Sequence, residues 1–309
     1  MHIVHLLLHI VNRFHRSQNE EGGVFMPLVS MKEMLIKARA GHRGVGGFLA
    51  FNYDSARAIA ETAKKLHQPA IYIVGDQMAL DMGGFARVTA MARSIADELD
   101  VEIALHADHY RSYEMIVGAI RGGFTSVMID ASRFPLEKNI ELTKEVVKVA
   151  HACGVSVEAE IGRLPGNEGD EEVTVAEAFQ TDPAEAAEFA ERTGIDALAV
   201  SIGTMHGAYP KGFKPEINIP RLREIAAKVS LPLVMHGGSG TPEDKIAEAV
   251  QAGIAKINVA TDLVTAYQQK IYQLQADDPD IRHNLDLFAA AKEAVAQVVE
   301  ERMKLFAGI

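Results

Sequence analysis

The sequence has one cysteine, no long hydrophobic run and no cluster of basic residues. The single cysteine, Cys153, cannot form a disulfide within the chain, which favours a reducing, cytoplasmic setting. Its position between a predicted helix and a predicted strand predicts a buried structural thiol. The apolar run at residues 3–11 is too short to cross a bilayer, so we expect no membrane partner. The net charge of −11 argues against nucleic acid as a partner, although local groups can still bind small anions.

What remains is an ordinary globular composition, with 48% hydrophobic and 24% charged residues among 309. Residues 1–25 differ from the rest: no Lys or Arg precedes their apolar run, and no cleavage site follows it, so they make a poor signal peptide. We expect an appended or mis-started segment here, with residues 26–309 forming the working domain. The alternative is an accessory helix used in assembly.

Eight apolar, strand-like segments alternate with helical patterns along the chain. Strict alternation predicts a parallel sheet, and eight units predict a closed (β/α)8 TIM barrel. An open doubly wound sheet is the alternative, but no Gly-x-Gly-x-x-Gly follows the first strand. The predicted strands are residues 44–51, 69–74, 101–105, 125–129, 155–158, 197–201, 231–235 and 255–259.

The third strand ends in His106-Ala107-Asp108-His109, which places three ionisable side chains within four residues. Burying them without partners would be costly, so they indicate the mouth of a site. Chemistry in a barrel lies at the carboxyl ends of the strands, where polar residues recur in this chain. They are Asn52, Asp54, Asp108, His109, Asp130, Ser132, Glu158, Glu160, His206, His236, Asn258 and Thr261.

Three of these histidines, His109, His206 and His236, follow separate strands and meet only if the barrel closes. Three imidazoles leave one position open, which is typical of a catalytic rather than a structural zinc. Any one of them alone would more often be a hydrogen-bonded rim residue. The other histidines are interpreted as structural or exposed, with His106 the best candidate to orient its neighbours.

Small and polar residues follow the last two strands, in the segments His236-Gly237-Gly238-Ser239-Gly240 and Asn258-Val259-Ala260-Thr261. Glycine permits close approach of the backbone to an anion, and the first N–H groups of a helix favour phosphate. Barrels frequently bind phosphate at these two loops. The glycine-rich segment alone fits an ordinary turn equally well, but the two segments together favour phosphate.

Taken in order, these segments resemble a known family. The matching motifs are His106-x-Asp108-His109, Asp130 with Ser132, Val157-Glu158-Ala159-Glu160-x-Gly162, Ile202-Gly203-Thr204-x-His206-Gly207, and the two phosphate segments above. From about residue 26 to 306, the chain resembles class II, zinc-dependent ketose-bisphosphate aldolases of the fructose- and tagatose-bisphosphate type.

The resemblance implies a role for each matched residue. His109, His206 and His236 would hold the catalytic Zn²⁺, and Asp130 and Glu160 a second divalent metal. Asp108 would be the acid/base at the hydroxyl-bearing carbon, and Glu168, on a mobile loop, would exchange the carbon-bound proton. A monovalent cation, Na⁺ or K⁺, and a homodimer or homotetramer are also implied. The binders of the sugar phosphate would be Gly207, Lys211, Gly237, Gly238, Ser239, Asn258 and Thr261, with Asn52 and Asp54 after the first strand.

Several departures concern the aldehyde half of the substrate. Asp54 stands where the family commonly has a second Asn, Tyr110-Arg111 follows His109 where smaller residues are usual, and Pro165 replaces a usual Gly. The candidates for an arginine at a distal phosphate are Arg57, Arg111 and Arg282.

Fructose 1,6-bisphosphate is the default substrate, cleaved reversibly to dihydroxyacetone phosphate and an aldehyde. Tagatose 1,6-bisphosphate or a modified ketose 1-phosphate is the alternative. A non-catalytic partner subunit and another barrel metalloenzyme, such as an epimerase, are the competing classes. Lys256 falls inside a predicted strand, which disfavours a Schiff-base mechanism.

Overall fold

A computed structural model describes residues 28–163, 166–168, 171–173, 180–205, 207, 215–281 and 283–309. Eight parallel strands close into a barrel, which confirms the predicted TIM barrel. The segment 1–25 lies outside the described residues. The described strands are β1 (Val45–Leu49), β2 (Ala70–Val74), β3 (Ile103–Tyr110), β4 (Ser126–Ile129), β5 (Ser156–Ile161), β6 (Gly166–Glu168), β7 (Glu171–Val173), β8 (Ala197–Val200), β9 (Leu233–Met235) and β10 (Ile254–Val259).

Helices cover the outside of the barrel and one of its ends. No helix among the described residues is long and apolar enough to cross a membrane. The helices are α1 (Met31–Ala40), α2 (Tyr53–Leu66), α3 (Asp76–Asp81), α4 (Phe85–Leu99), α5 (Tyr113–Gly122), α6 (Leu136–Ala152), α7 (Pro183–Thr193), α8 (Ile219–Lys228), α9 (Glu243–Gln251), α10 (Thr261–Asp277) and α11 (Asn284–Ala307).

The barrel strands follow one another around the barrel in the order β1-β10-β9-β8-β5-β4-β3-β2, while β6 and β7 pair antiparallel as a separate hairpin. All residues of β2, β3, β5 and β10 are buried. This burial on both faces is expected for parallel strands enclosed by helices.

Helix α1 plugs the amino-terminal mouth of the barrel. Ser30 caps it by accepting a hydrogen bond from the backbone N–H of Lys32 at 3.3 Å. Its residues Met31 and Leu35 are fully buried in a cluster with interior strand residues such as Ile71 and Ala104. The apolar plug fills the barrel interior at this end, whereas the polar residues of the predicted site lie at the opposite, carboxyl ends of the strands.

Two local predictions were wrong, and one short helix was not predicted. Strand β3 does not end near Leu105 but runs on to Tyr110, with all eight of its residues buried. The short helix α3 was not predicted. Cys153 is exposed rather than buried, because it follows the last turn of α6 in the connection to β5.

Candidate functional site

The carboxyl ends of the barrel strands surround a cavity of about 360 Å³. This volume lies within the usual range for small-molecule sites. Eight of the predicted site residues line it: Asp108, His109, Gly207, His236, Gly237, Ser239, Asn258 and Thr261. The remaining lining residues are Leu49, Ile73, Gly75, Asp76, Gln77, Met78 and Ala260.

An irregularity in β3 brings Asp108 and His109 to the same cavity. Successive side chains of a regular strand point to opposite faces. His109, however, has a left-handed backbone conformation with φ of 55°, and the register with β4 shifts between Ala107 and Tyr110. The shift breaks the alternation, so two neighbouring polar side chains both line the cavity. Left-handed backbone at a non-glycine residue is strained and is commonly found at functional sites.

Two overlapping groups of side chains can hold metal ions. In each group the donor atoms lie within 4.8 Å of one another, and His109 belongs to both; the groups are Asp108, His109 and His236, and His109, Asp130 and Glu160. The imidazole rings of His109 and His236 have centroids 4.4 Å apart. Imidazole nitrogens and carboxylate oxygens are zinc ligands, so the donor set fits the implied metal. The third predicted histidine, His206, lies outside the described residues.

His109 is oriented by a carboxylate. Its Nδ1 lies 3.1 Å from Oδ2 of Asp130, and Arg111 lies 3.7 Å from the same oxygen. Burial raises the pKa of Asp130, but the hydrogen bond and charge of His109 outweigh this and hold the pKa well below its usual range. Asp130 is therefore an anion beside the histidine that both metal groups share.

His236 is held between two buried carboxylates. Its Nε2 lies 2.9 Å from Glu158 and its Nδ1 lies 3.2 Å from Glu160. Burial and the nearby His109 lower the pKa of His236, but the two carboxylates outweigh them and raise it to about 9. Both sides of the ring are thereby fixed in orientation, and a metal would have to displace a proton to bind this imidazole.

A charged layer lies inside the barrel, directly beneath the cavity. Lys256 Nζ donates to Glu158 at 2.8 Å and lies 3.9 Å from Asp108, and both Lys256 and Glu158 are fully buried. Burial raises the pKa of Glu158, but the charge of Lys256 outweighs it and keeps this carboxyl ionised. His106 Nδ1 lies 2.7 Å from the Ser126 hydroxyl, and burial together with Lys256 lowers the pKa of His106 to about 3. His106 is therefore a neutral neighbour, in agreement with its predicted orienting role.

Asp108 is fixed by a hydrogen bond from the opposite side of the cavity. Asn258 Nδ2 donates to its Oδ1 at 3.0 Å, and His106 Nε2 lies 3.6 Å from the same oxygen. The carboxylate is 9% exposed, so it is almost enclosed yet still reaches the cavity. A carboxylate held this way at a cavity wall can move a proton to or from a bound hydroxyl group.

The ends of β9 and β10 form a cradle of backbone and hydroxyl groups. Gly238 N–H donates to the carbonyl of Asn258 at 3.0 Å, which ties the two loops together. Ser239 Oγ accepts from the backbone N–H of Asp262 at 3.2 Å, in the first turn of α10. Helix α10 has no side-chain cap, and both Ser239 and Thr261 line the cavity. An uncapped helix start beside hydroxyl groups suits a bound phosphate.

Gly237 permits this cradle to form, and its replacement by alanine is expected to damage it. Its φ is +70°, and a Cβ here would lie 2.1 Å from the carbonyl oxygen of Met205. We expect Gly237→Ala to lower the free energy of unfolding by about 1–3 kcal/mol and to raise the KM for the sugar phosphate. Thermal denaturation and steady-state kinetics measure the two effects. Gly154→Ala, with φ of +73° but an open surrounding space, is the control, and an equal rise of KM in that variant would contradict the prediction.

The other predicted residues lie away from the cavity or outside the described part of the chain. Asn52 caps α2, accepting from Ser55 N–H at 2.8 Å, and lines a neighbouring groove; Asp54 accepts from the Tyr267 hydroxyl at 3.2 Å. Arg57 forms ion pairs with Glu61 and Glu98. Lys211, Arg282 and Pro165 lie outside the described residues. For Glu168 only the backbone is described, in β6.

Sequence reasoning missed the contribution of α3 and the end of β2 to the cavity. Gly75, Asp76, Gln77 and Met78 all line it. The signal was present, because Asp76 is a polar residue that lies two positions after the end of the predicted strand 69–74. Asp76 therefore fits the rule that site residues lie at the carboxyl ends of barrel strands, which identified Asp108 and Asn258.

Comparison with known proteins identifies a family and a relative of similar sequence. The family model for class II fructose-bisphosphate aldolase matches residues 29–308. A fructose-bisphosphate aldolase from Thermus caldophilus is 42% identical over 303 residues, which cover 91% of this chain and 99% of that protein.

Solved structures of aldolases share the fold. The YdjI aldolase from Escherichia coli K12 is 34% identical with a TM-score of 0.79, covering 90% of this chain and 97% of its own. A putative fructose-1,6-biphosphate aldolase from Coccidioides immitis is 29% identical with a TM-score of 0.78. The match covers 89% of this chain and 94% of that chain. The family match and the 42% identity to a relative show that the chain belongs to the class II fructose-bisphosphate aldolase family and is an aldolase of the lyase class.

Proposed function

We propose that this aldolase is zinc-dependent and reversibly cleaves a ketose phosphorylated at C1 to dihydroxyacetone phosphate and an aldehyde. Fructose 1,6-bisphosphate, the default of the sequence analysis, and tagatose 1,6-bisphosphate belong to this class. The observation that carries the proposal is the convergence, in one cavity, of a fixed carboxylate, two metal-binding imidazoles and an anion cradle. We further propose a homodimer or homotetramer, on the family resemblance alone.

Metal binding and phosphate binding are assigned to separate groups of residues. The metal would be held by His109 and His236, with His206 from the sequence motif, and when bound it supplies Lewis acidity to the substrate carbonyl. The Asp130–Glu160 group suits a second divalent ion. The cradle at Gly237–Ser239 and Thr261 binds the C1 phosphate, with a monovalent cation as an additional counter-charge.

Asp108 accepts and returns the proton of the hydroxyl group next to the carbon–carbon bond that is cleaved or formed. In cleavage its carboxylate accepts the proton of the hydroxyl group on the carbon that becomes the aldehyde. In synthesis the same proton returns to the aldehyde oxygen as the carbon–carbon bond forms. Asn258 keeps the carboxylate aimed during both steps through its hydrogen bond at 3.0 Å. Exchange of the carbon-bound proton of dihydroxyacetone phosphate is assigned to Glu168.

Chelation distinguishes this mechanism from Schiff-base chemistry. We expect removal of metal by a chelator to abolish cleavage and added Zn²⁺ to restore it. Borohydride in the presence of substrate is expected to leave the protein mass unchanged, because Lys256 is fully buried and paired with Glu158. Mass spectrometry and a coupled assay for dihydroxyacetone phosphate measure both outcomes. A trapped covalent adduct, or full activity of the metal-free protein, would contradict the proposal.

A further inference from the structure

The cavity has a second end, formed by β2 and α3. Strand β2 pairs with β3, which carries Asp108, whereas the phosphate cradle lies at β9 and β10. In the closed barrel β1 lies between β10 and β2, so the wall formed by Gly75, Asp76, Gln77 and Met78 adjoins Asp108 and is separated from the cradle by one strand. This inference rests on the proposed function, because that function sets the direction in which the substrate lies.

The direction follows from two fixed points. The C1 phosphate lies in the cradle, and the hydroxyl group that loses its proton faces Asp108. That hydroxyl belongs to the aldehyde half of the ketose. The remaining atoms of the aldehyde then lie next to Asp108 but outside the cradle, where the cavity wall is the end of β2 and the start of α3.

This end of the cavity carries negative charge. Asp76 lines it, and within the described part of the chain no lysine or arginine lines the cavity to balance it. Arg57 is engaged elsewhere, since its guanidinium donates to Glu98 at 2.6 and 2.7 Å and to Glu61 at 2.8 Å. A second phosphate at this end would face the carboxylates of Asp76 and Asp108.

The polar groups at this end suit hydroxyl groups instead. Gln77 and Asp76 both line it. The amide group of Gln77 can donate and accept hydrogen bonds, and the carboxylate of Asp76 accepts them. A donor and carboxylate acceptors in one place are the groups that recognise a polyhydroxylated chain.

We propose that the aldehyde half of the substrate is an unphosphorylated hydroxyaldehyde, and that Asp76 selects against a phosphate at its far end. The physiological ketose is then a ketose 1-phosphate rather than a 1,6-bisphosphate. Asp76 acts by repelling a dianion and by accepting hydrogen bonds from the hydroxyl groups of the aldehyde.

The test compares two aldehydes that differ only in a phosphate. The zinc-loaded protein is assayed for aldol addition of dihydroxyacetone phosphate to D-glyceraldehyde and to D-glyceraldehyde 3-phosphate. We expect kcat/KM to be about tenfold or more higher for the unphosphorylated aldehyde, as repulsion between close like charges predicts. Asp76→Asn is expected to reduce this preference about tenfold by the same argument, mainly by improving use of the phosphorylated aldehyde.

The control is Asp81→Asn. Asp81 lies on the same helix, accepts from the Gln77 side chain at 2.9 Å and does not line the cavity, so its replacement should leave the preference unchanged. A wild-type preference for the phosphorylated aldehyde, or no reaction with the unphosphorylated one, would overturn the inference. So would an unchanged preference in Asp76→Asn.

A separate measurement keeps the inference apart from the proposed function. Exchange of the carbon-bound proton of dihydroxyacetone phosphate in deuterated water needs no aldehyde. If exchange occurs but the phosphorylated aldehyde is preferred, the inference fails and the proposed function stands. If the zinc-loaded protein shows no exchange, the proposed function itself fails.

Discussion

Replacing Asp108 by alanine is expected to lower kcat for carbon–carbon cleavage about a thousandfold, the middle of the range for loss of a general acid/base. The expected result is specific, because zinc content should remain at the wild-type level. Asp108 lies close enough to His109 and His236 to be a metal ligand, but the proposed mechanism gives it the substrate hydroxyl instead. Steady-state kinetics and elemental analysis of the purified protein measure the two quantities.

Asp108→Asn is the matched variant, because an amide preserves the shape of the side chain and removes its ability to accept a proton. This variant should still exchange the carbon-bound proton of dihydroxyacetone phosphate, since that proton is assigned to Glu168. Loss of zinc together with activity would make Asp108 a ligand. Full cleavage activity in either variant would remove Asp108 from its assigned role.

The barrel was predictable because its signals are local. The segments Ala70–Val74 and Ser126–Ile129 are fully buried, and the strands alternate with helices, several of which begin at a side-chain cap, as α1 does at Ser30. The rule that polar residues follow barrel strands identified Asp108, His236 and Asn258. Closure of the barrel is sufficient to bring these residues together.

The misplaced end of β3 has a different cause. Ionisable residues at His106, Asp108 and His109 indicated the end of a strand, because buried charge needs partners. The partners come from other strands: Ser126 and Asp130, on β4 and at its end, contact His106 and His109, and Asn258 on β10 contacts Asp108. Short segments of sequence do not show these pairings, so the predicted strand ended too early.

Helix α3 was missed because it is only six residues long and has no side-chain cap. Neither a helical period nor a start signal is visible over that length. The consequence extended to the site, because α3 carries Asp76 and Gln77 into the cavity. The predicted binders Asn52 and Asp54, one strand away, do not line that cavity and stay predictions for the substrate.

The charged layer beneath the cavity also could not be predicted from the sequence. Lys256 and Glu158 are 98 residues apart, and each reads as an isolated charge in an apolar strand. Only the closed barrel places Lys256 where it can pair with Glu158, which in turn contacts His236. The buried position of Lys256 is consistent with the argument against a Schiff-base role. Its location beneath the candidate metal-binding side chains could not be predicted from a local sequence pattern.

Lys256→Met is expected to destabilise the protein by about 3–5 kcal/mol, because the buried carboxylates of Glu158, Glu160 and Asp108 would then share His236 as their remaining buried cation among the described residues. Glu158 is fully buried and would lose the cation 2.8 Å away, while remaining 2.9 Å from His236. Chemical denaturation of the metal-free protein measures the loss. The matched control is Lys292→Met, which breaks a partly exposed ion pair with Glu61 and should cost less than about 1 kcal/mol.

The double variant Lys256→Met/Glu158→Gln separates stability from metal binding. It removes both charges, so no buried ion is left unpaired, and much of the lost stability should return. Zinc affinity should stay about 10–100-fold below the wild-type value, since Glu158 is the carboxylate that orients His236 and makes the ring a stronger ligand. If zinc titration of the double variant gives the wild-type affinity, the buried pair serves packing alone. If the single variant is as stable as the wild type, Lys256 does not neutralise Glu158 in the folded protein.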